Sequence, residues 1–141
     1  MDELIRKSAR EVVALLRAGE VSSDDTLDAL VARIEAVDSE INALPTLCIE
    51  RARERARSVE QKDSLLAGMP VAIKDLTDVA GVRTTYGSTL YENNIAQESS
   101  LMVQRVEANG GVIYAKSNTP EFGTGGNTFN DVFGATRNPH D

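Results

Sequence analysis

Residues 68–75 run Gly-Met-Pro-Val-Ala-Ile-Lys-Asp, with an apolar segment from Met69 to Ile73 between a glycine and a lysine. A short apolar run bounded in this way is typical of a buried β-strand. Val112 to Ala115 is a second such run. Between the two runs, Ser99 or Ser100 can cap a helix whose apolar positions are Leu101, Val103 and Val106. Strand, helix and strand in this order predict a right-handed βαβ unit with parallel strands.

Helices are predicted ahead of this unit. Apolar residues recur at helical spacing from Asp2 to Ala18 and from Asp24 to Val37. The second of these helices follows a capping box made by Ser22 and Asp25. A third helix, charged and rich in alanine, is predicted from Ile49 to about Gln61, as a solvated surface helix with weak ion pairs.

The sequence changes character near Ser64, and a chain of 141 residues fits one domain. We therefore expect an α/β protein whose helical lead, residues 1–63, and α/β part, residues 64–141, belong to the same domain. Residues 76–97 and the segment from Asn118 onward are polar and rich in glycine and threonine. Residues 76–97 are predicted to be a long irregular connection.

Composition and charge exclude several classes of function. The net charge of −7 argues against nonspecific binding of nucleic acid, which needs a basic face. Cys48 is the one cysteine and His140 the one histidine, which disfavours an internal disulfide, a Ser-His-Asp site and a multi-histidine metal site within the chain. The charged start does not resemble a signal peptide, and no stretch approaches the roughly 18 apolar residues of a membrane helix. We expect a cytoplasmic protein without membrane or nucleic-acid partners.

Two lysines follow the predicted strands, Lys74 and Lys116. Ligands bind beyond the carboxyl ends of the strands in open α/β sheets, so both lysines are candidate functional residues. A lysine in a poorly hydrated pocket favours its neutral form and can act as a base. The alternative is that both lysines end their strands in water. Position alone does not decide between these interpretations.

Four motifs in order carry a family resemblance. They are GMPVAIKD at residues 68–75, GVRTTYGS at 81–88, AKSNTPEF at 115–122 and FGATRNP at 133–139. Together they resemble the amidase signature family, over a region from about Ser8 to the last residue. The resemblance implies N-terminal helices followed by the first strands of a large mixed sheet.

The resemblance also implies a chemistry. Enzymes of the family hydrolyse amides with a serine nucleophile, a second serine with a cis peptide bond, and a lysine, and they use no metal or cofactor. Lys74 matches the catalytic lysine, whereas Lys116 belongs to the neighbouring motif and is not the base. The matching substrate-binding segment is Phe122, Gly123, Thr124, Gly125 and Gly126. The implied partner is a small amide substrate.

The sequence departs from the family pattern in two ways. His140 stands where the family usually has tryptophan, and no serine matches either catalytic serine, because both belong to a Gly-Ser-rich segment that follows the last motif. We therefore expect the N-terminal portion of an amidase, truncated before the nucleophile, inactive alone and able to self-associate through an exposed sheet edge. Two alternatives stay open. One is the amidase subunit of a glutamyl-tRNA amidotransferase, although residues 77–83 look more like the general amidases. The other is a non-catalytic interaction module.

Overall fold

The computed structural model describes residues 2–59 and 63–140, and it contains five helices and five strands in that part of the chain. The helices are α1 (Asp2–Ile5), α2 (Ala9–Ala18), α3 (Ser23–Ile41), α4 (Ile49–Ala56) and α5 (Leu101–Ala108). The strands are β1 (Thr46–Leu47), β2 (Pro70–Lys74), β3 (Val112–Ser117), β4 (Phe129–Asn130) and β5 (Gly134–Ala135). Thr89–Tyr91 and Glu121–Gly123 form short 3₁₀ turns. Helix α4 ends at Ala56, so the prediction of a helix to about Gln61, a residue outside the described ranges, was too long.

The first predicted helix is divided in two. The Ser8 hydroxyl accepts from the Glu11 N–H and the Glu11 side chain accepts from the Ser8 N–H, so a complete capping box starts α2 at Ala9. The prediction of one helix from Asp2 to Ala18 was therefore wrong, because Ser8 has extended backbone angles. The Ser22–Asp25 capping box is confirmed, and α3 continues beyond the predicted end at Val37 to Ile41.

Helix α4 is more deeply packed than its charged sequence suggests. Ala52 and Ala56 are buried, and the arginines pair with other helices rather than along α4 itself. Arg53 reaches Asp24 on α3 at 3.2 Å, and Arg51 reaches Glu107 on α5 at 2.7 Å. The expectation of a solvated surface helix was therefore wrong, because the small alanines allow close approach to the sheet.

A mixed three-stranded sheet lies at the centre, in the order β1-β3-β2. Strands β2 and β3 are parallel and α5 connects them, which confirms the predicted βαβ unit. Ser100 caps α5 by accepting from the Val103 N–H. Strand β1, which was not predicted, pairs antiparallel with β3 through Thr46 and Leu47.

Two apolar clusters cover the two faces of the sheet. One face packs against α3 and α4 through a cluster that includes Leu27, Ala52, Val112 and Tyr114. The opposite face packs against α5 and the connection between β2 and α5 through Ile73, Val79, Val82, Val103 and Ile113. Strand β3 is central, whereas the outer side of β2 has no paired strand among the described residues. An expected exposed sheet edge is therefore present at β2, whereas β3 has a partner strand on each side.

Strands β4 and β5 form a small antiparallel pair near the end of the described chain. The Asn42 side chain, in the left-handed cap of α3, donates to the carbonyl oxygens of Phe133 at 2.7 Å and Ala135 at 3.2 Å. The Thr136 hydroxyl donates to the Asn42 carbonyl at 2.6 Å. These bonds fasten the pair to the end of α3. None of the helices in the described ranges is long and apolar enough to cross a membrane.

Candidate active site

Lys74 is the last residue of β2, and its side chain is exposed. Its backbone is paired with Ser117 of β3, and the Lys74 carbonyl accepts from the Thr77 N–H at 3.0 Å. The predicted position at the carboxyl end of a strand is therefore confirmed. In the described ranges, the Lys74 amine has no carboxylate within ion-pair distance.

The next residue, Asp75, faces the other way and is fully buried. Its Oδ1 atom lies 3.1 Å from the Nζ atom of Lys116, whose side chain is also fully buried. Lys116 Nζ makes a second hydrogen bond, of 2.7 Å, to the Thr84 hydroxyl. The interpretation that Lys116 ends its strand in water is therefore wrong, because a buried carboxylate and a hydroxyl solvate its amine instead of water.

A β-bulge in β3 places the Lys116 side chain on the same face of the sheet as Asp75. Val71 pairs with Ile113 but Ala72 pairs with Ala115, so Tyr114 has no partner on β2. Side chains alternate between the faces of a sheet, and one extra residue on β3 reverses the face of every residue that follows it. Lys116 consequently shares the face of Ile73 and Asp75. Without the bulge it would lie on the opposite face, with Lys74.

Burial lowers the pKa of Lys116, and the neighbouring Asp75 carboxylate opposes this change by favouring the ammonium. The contact between Lys116 Nζ and Asp75 Oδ1 has the geometry of an ion pair, and Thr85 supplies further hydrogen-bond donors to the carboxylate. The second carboxylate oxygen of Asp75, Oδ2, accepts from the Thr85 N–H at 3.1 Å and from the Thr85 hydroxyl at 2.6 Å. Every oxygen of the buried carboxylate is thus hydrogen-bonded, as a buried charge requires.

These contacts hold the loop from Thr84 to Ser88 against the carboxyl ends of β2 and β3. The Tyr86 N–H donates to the Asp75 carbonyl at 3.0 Å, and the Tyr86 carbonyl accepts from the Phe122 N–H at 2.7 Å. Gly87 has a φ of +69°, and a Cβ atom there would lie 3.0 Å from the Thr119 carbonyl oxygen. Only glycine suits this close approach. The loop therefore links the end of β2 to the segment that begins at Thr119.

The predicted substrate-binding segment, Phe122, Gly123, Thr124, Gly125 and Gly126, is exposed along its whole length. Phe122 has a φ of +48° in the short turn, and the Thr124 N–H donates to the Glu121 carbonyl at 3.0 Å. A cavity of about 270 Å³ lies beside this segment. It is lined by Gly87, Thr89, Pro120, Glu121, Thr124, Phe129, Asn130 and Asp131. Thr124 is the one predicted substrate-binding residue in this lining, and Lys74 is not part of it.

Three aromatic rings stack edge to face next to the segment. The ring centroids of Tyr86 and Tyr91 are 5.0 Å apart, and those of Tyr91 and Phe122 are 6.2 Å apart. The Tyr86 hydroxyl donates to Asp78 at 2.7 Å, and this hydrogen bond, with partial burial and the Asp78 charge, raises the pKa of Tyr86 to about 12. The rings give one side of the segment an apolar wall.

The sequence did not identify Asp75, Thr84 and Thr85 as a single buried unit with Lys116. Thr84 and Thr85 belong to a polar connection after a strand, and this position alone does not indicate that their hydroxyls meet Asp75 and Lys116. The missed signal is an acidic residue directly after a buried strand, in a chain with a second lysine at the end of the parallel strand. In the described residues, no group of three histidine, cysteine or acidic side chains is arranged to hold a metal ion.

Comparison with known proteins gives a consistent assignment. The Amidase family model matches residues 25–141. A glutamyl-tRNA(Gln) amidotransferase subunit from Chlamydia felis is 40% identical over 144 residues, which cover 98% of this chain and 29% of the relative. The protein of the same name from Koribacter versatilis is 45% identical over 115 residues, or 77% of this chain and 24% of the relative.

Solved structures agree. The 6-aminohexanoate cyclic dimer hydrolase superimposes with a TM-score of 0.87 at 32% identity, covering 96% of this chain and 28% of the hydrolase. A bacterial aryl acylamidase gives a TM-score of 0.87 at 29% identity, covering 96% and 30%. The chain thus spans less than a third of the length of these relatives. The resemblance found in the four sequence motifs is confirmed: this chain belongs to the amidase signature family.

Proposed function

We propose that this chain is the N-terminal portion of an enzyme that hydrolyses carboxylic amides to an acid and ammonia or an amine. The observation that carries the proposal is the placement of Lys74. Its amine is exposed at the carboxyl end of β2, while the adjacent Asp75 is anchored in the interior. A reactive group at the carboxyl end of a strand, next to a residue fixed in the interior, is placed where a catalytic base can serve a site at the strand ends.

The proposed reaction is serine acylation with Lys74 as the base. Lys74, acting as the base, takes a proton from the nucleophilic serine through the bridging serine, and the serine oxygen attacks the amide carbonyl carbon. The C–N bond then breaks, and the leaving amine receives the proton. Water hydrolyses the ester that remains and releases the acid and the serine.

The substrate is proposed to lie along Phe122, Gly123, Thr124, Gly125 and Gly126. The exposed backbone of this segment and the neighbouring cavity of about 270 Å³ support this placement. The Tyr91 and Phe122 rings supply an apolar surface beside the segment, and Gly87 and Thr89 contribute to the lining of the cavity. A small-molecule amide suits a site of this size.

We further propose that residues 1–141 form one part of an amidase signature domain, with a helical lead at 1–63 and an α/β part at 64–141. No serine in this sequence matches the two catalytic serines of the family. The chain by itself is therefore expected to be inactive, because removal of the nucleophile removes the acylation route. Cys48 is a free thiol, which fits the proposed cytoplasmic location.

The test is amide hydrolysis by the complete enzyme and by its Lys74 variants. Lys74→Ala is expected to abolish turnover while the protein remains folded. Lys74→Arg is expected to fail too, since a guanidinium does not give up its proton near neutral pH. Undiminished turnover in Lys74→Ala would reject Lys74 as the base, and formation of an acyl-enzyme by the 141-residue chain alone would reject the assignment of the nucleophile elsewhere.

A second candidate function is the amidase subunit of a glutamyl-tRNA amidotransferase, which releases ammonia from glutamine for transfer to misacylated tRNA. The sequence relatives with that name, at 35% to 45% identity, favour it. Co-purification of the complete protein with partner proteins, together with glutaminase activity that depends on them, would support this function. Hydrolysis of simple amides without any partner would favour the first proposal.

A non-catalytic interaction module of the same fold is the remaining alternative. The DNA downstream of codon 141 separates it from the two enzymes. An open reading frame that encodes a Gly-Ser-rich segment shortly after Asn138-Pro139 would support an amidase. A stop codon without such a segment would support the module.

A further inference from the structure

We propose that the buried Lys116–Asp75 ion pair is a positioning device for the candidate base Lys74. The inference rests on the proposed function. It concerns residues that do not reach the substrate: Lys116 and Asp75 have no exposed side-chain surface, so they can act only through the groups they hold.

Asp75 is fixed through every one of its polar atoms. Its N–H donates to the Ser117 carbonyl at 2.9 Å, and its carbonyl accepts from the Tyr86 N–H at 3.0 Å. Its carboxylate accepts from Lys116 and from both the N–H and the hydroxyl of Thr85. Because Asp75 follows Lys74 directly, these contacts fix the point from which the Lys74 side chain projects.

Lys116 connects three separate parts of the chain. It belongs to β3, it pairs with the residue after β2, and it donates at 2.7 Å to Thr84 in the long connection. The Thr84–Gly87 loop in turn holds Phe122 through the Tyr86 carbonyl. One ammonium group therefore sets the position of the Lys74 backbone relative to the predicted substrate segment.

The Lys116–Asp75 ion pair requires a specific irregularity in the sheet. Lys116 reaches Asp75 only because the bulge at Tyr114 places both side chains on one face. Apolar residues at both positions 75 and 116 would fill the same interior without any buried charge, and such replacement of a whole buried ion pair is often neutral or stabilising. Packing alone therefore does not require the charged network. Its purpose is to fix the positions of the groups that it binds. Catalysis is sensitive to such geometry, since a displacement of about 1 Å can cost roughly 10²-fold in rate.

The test compares Lys116→Met, Asp75→Asn and the double variant in the complete enzyme. Each single variant leaves a buried group without its partner, so its Tm is expected to fall. The double variant removes both charges, and its Tm is expected to recover. The positioning role predicts that kcat per mole of folded protein stays lowered, by about 10²-fold, in the double variant, with KM close to that of the wild type. A merely structural pair predicts that kcat recovers together with Tm.

A matched control is Arg51→Met, which removes the ion pair between Arg51 on α4 and Glu107 on α5. It is expected to lower Tm while kcat stays at the wild-type value. If the Lys116 and Asp75 variants do not fold, Thr84→Val tests the positioning role instead. It removes one hydrogen-bond acceptor of Lys116 and retains the shape of the Thr84 side chain. A lowered kcat with unchanged KM in Thr84→Val supports the positioning role.

Wild-type kcat in the double variant or in Thr84→Val would overturn the inference. Failure of the proposed function is recognised separately, by full activity in Lys74→Ala. If Lys74→Ala is inactive while the network variants turn over normally, Lys74 stands as the base and the positioning role is rejected.

Discussion

The Nζ atom of Lys116 lies 3.1 Å from the Oδ1 atom of Asp75, and neither side chain has any exposed surface. Lys74, the residue before Asp75, points into solvent. The two strand-end lysines therefore occupy opposite environments, although they belong to neighbouring parallel strands. This difference leads to distinct expectations for their substitution.

Lys116→Ala is expected to destabilise the protein by about 3–5 kcal/mol, because it leaves the buried Asp75 carboxylate without its partner. Lys74→Ala is expected to change the unfolding free energy by no more than about 0.5 kcal/mol, since the side chain is exposed. Denaturant unfolding of the two variants of the complete protein, compared with the wild type, measures both values. Equal losses in the two variants would contradict the burial described here.

The sequence predicted the elements that depend on local pattern. The apolar runs at β2 and β3, the helix between them and their parallel pairing all follow from hydrophobicity and order along the chain. Strand β1 was missed because two residues, Thr46 and Leu47, carry no periodicity. The division of the first helix was missed because the Ser8–Glu11 capping box was not recognised in the apolar stripe.

The candidate site was predicted less completely. The position of Lys74 follows from its place after a strand. The burial of Lys116 does not, because its partner lies 41 residues away and the bulge at Tyr114 leaves no signal in the residue pattern. A buried ion pair depends on the three-dimensional alignment of two strands and a loop, which local propensity does not encode.

Gly87→Ala is expected to destabilise the protein more than Gly81→Ala. Both glycines have positive φ, +69° and +74°, so alanine is strained at either position by roughly 1–2 kcal/mol. At Gly87 the new methyl group would also lie 3.0 Å from the Thr119 carbonyl oxygen, whereas no atom lies within 4 Å at Gly81. Overpacking adds about 1–3 kcal/mol. Thermal unfolding of the two variants checks the order, and an equal fall in Tm would show that the loop yields to the methyl group.

Tyr86 is expected to ionise with a pKa of about 12, above the ordinary value of 10.0, because its hydroxyl donates to Asp78. A raised folded-state pKa means that the unfolded state loses the proton first. The stabilising contribution of this hydrogen bond is therefore fully present below pH 10 and is lost as the pH rises towards 12. Tyrosinate absorbance during alkaline titration measures the step, and Tyr86→Phe should remove it.

Asp78→Asn is the control for this titration. It removes the charge but retains a hydrogen-bond acceptor, so the pKa of Tyr86 should move back towards its ordinary value. Burial also raises the pKa of Tyr114, and the pKa of Tyr114 should be the same in the wild type and in Asp78→Asn. A Tyr86 pKa that does not respond to Asp78→Asn would show that the raised value does not come from this contact.

The open edge of β2 predicts self-association of the 141-residue chain. Strand β3 has partners on both sides, but the outer side of β2 is unpaired in the described residues, and an unpaired edge can accept a strand from another chain. A nearby apolar surface, formed by Leu65, Leu101 and Met102, is also exposed and offers a competing route to association. Domain stability is normally only about 5–15 kcal/mol, so contacts of this kind decide whether the isolated chain stays monomeric.

Size-exclusion chromatography combined with amide hydrogen exchange tests this expectation. Association through the edge should increase the protection of β2 as the protein concentration rises, and it should persist in Leu101→Glu/Met102→Glu, which places charges on the competing apolar surface. Loss of association in that double variant would assign the contact to the apolar surface instead. A sharp monomer peak with strong protection across both β2 and β3 would defeat the prediction, because it would mean that the three strands and their helices close a stable core without a further partner for β2.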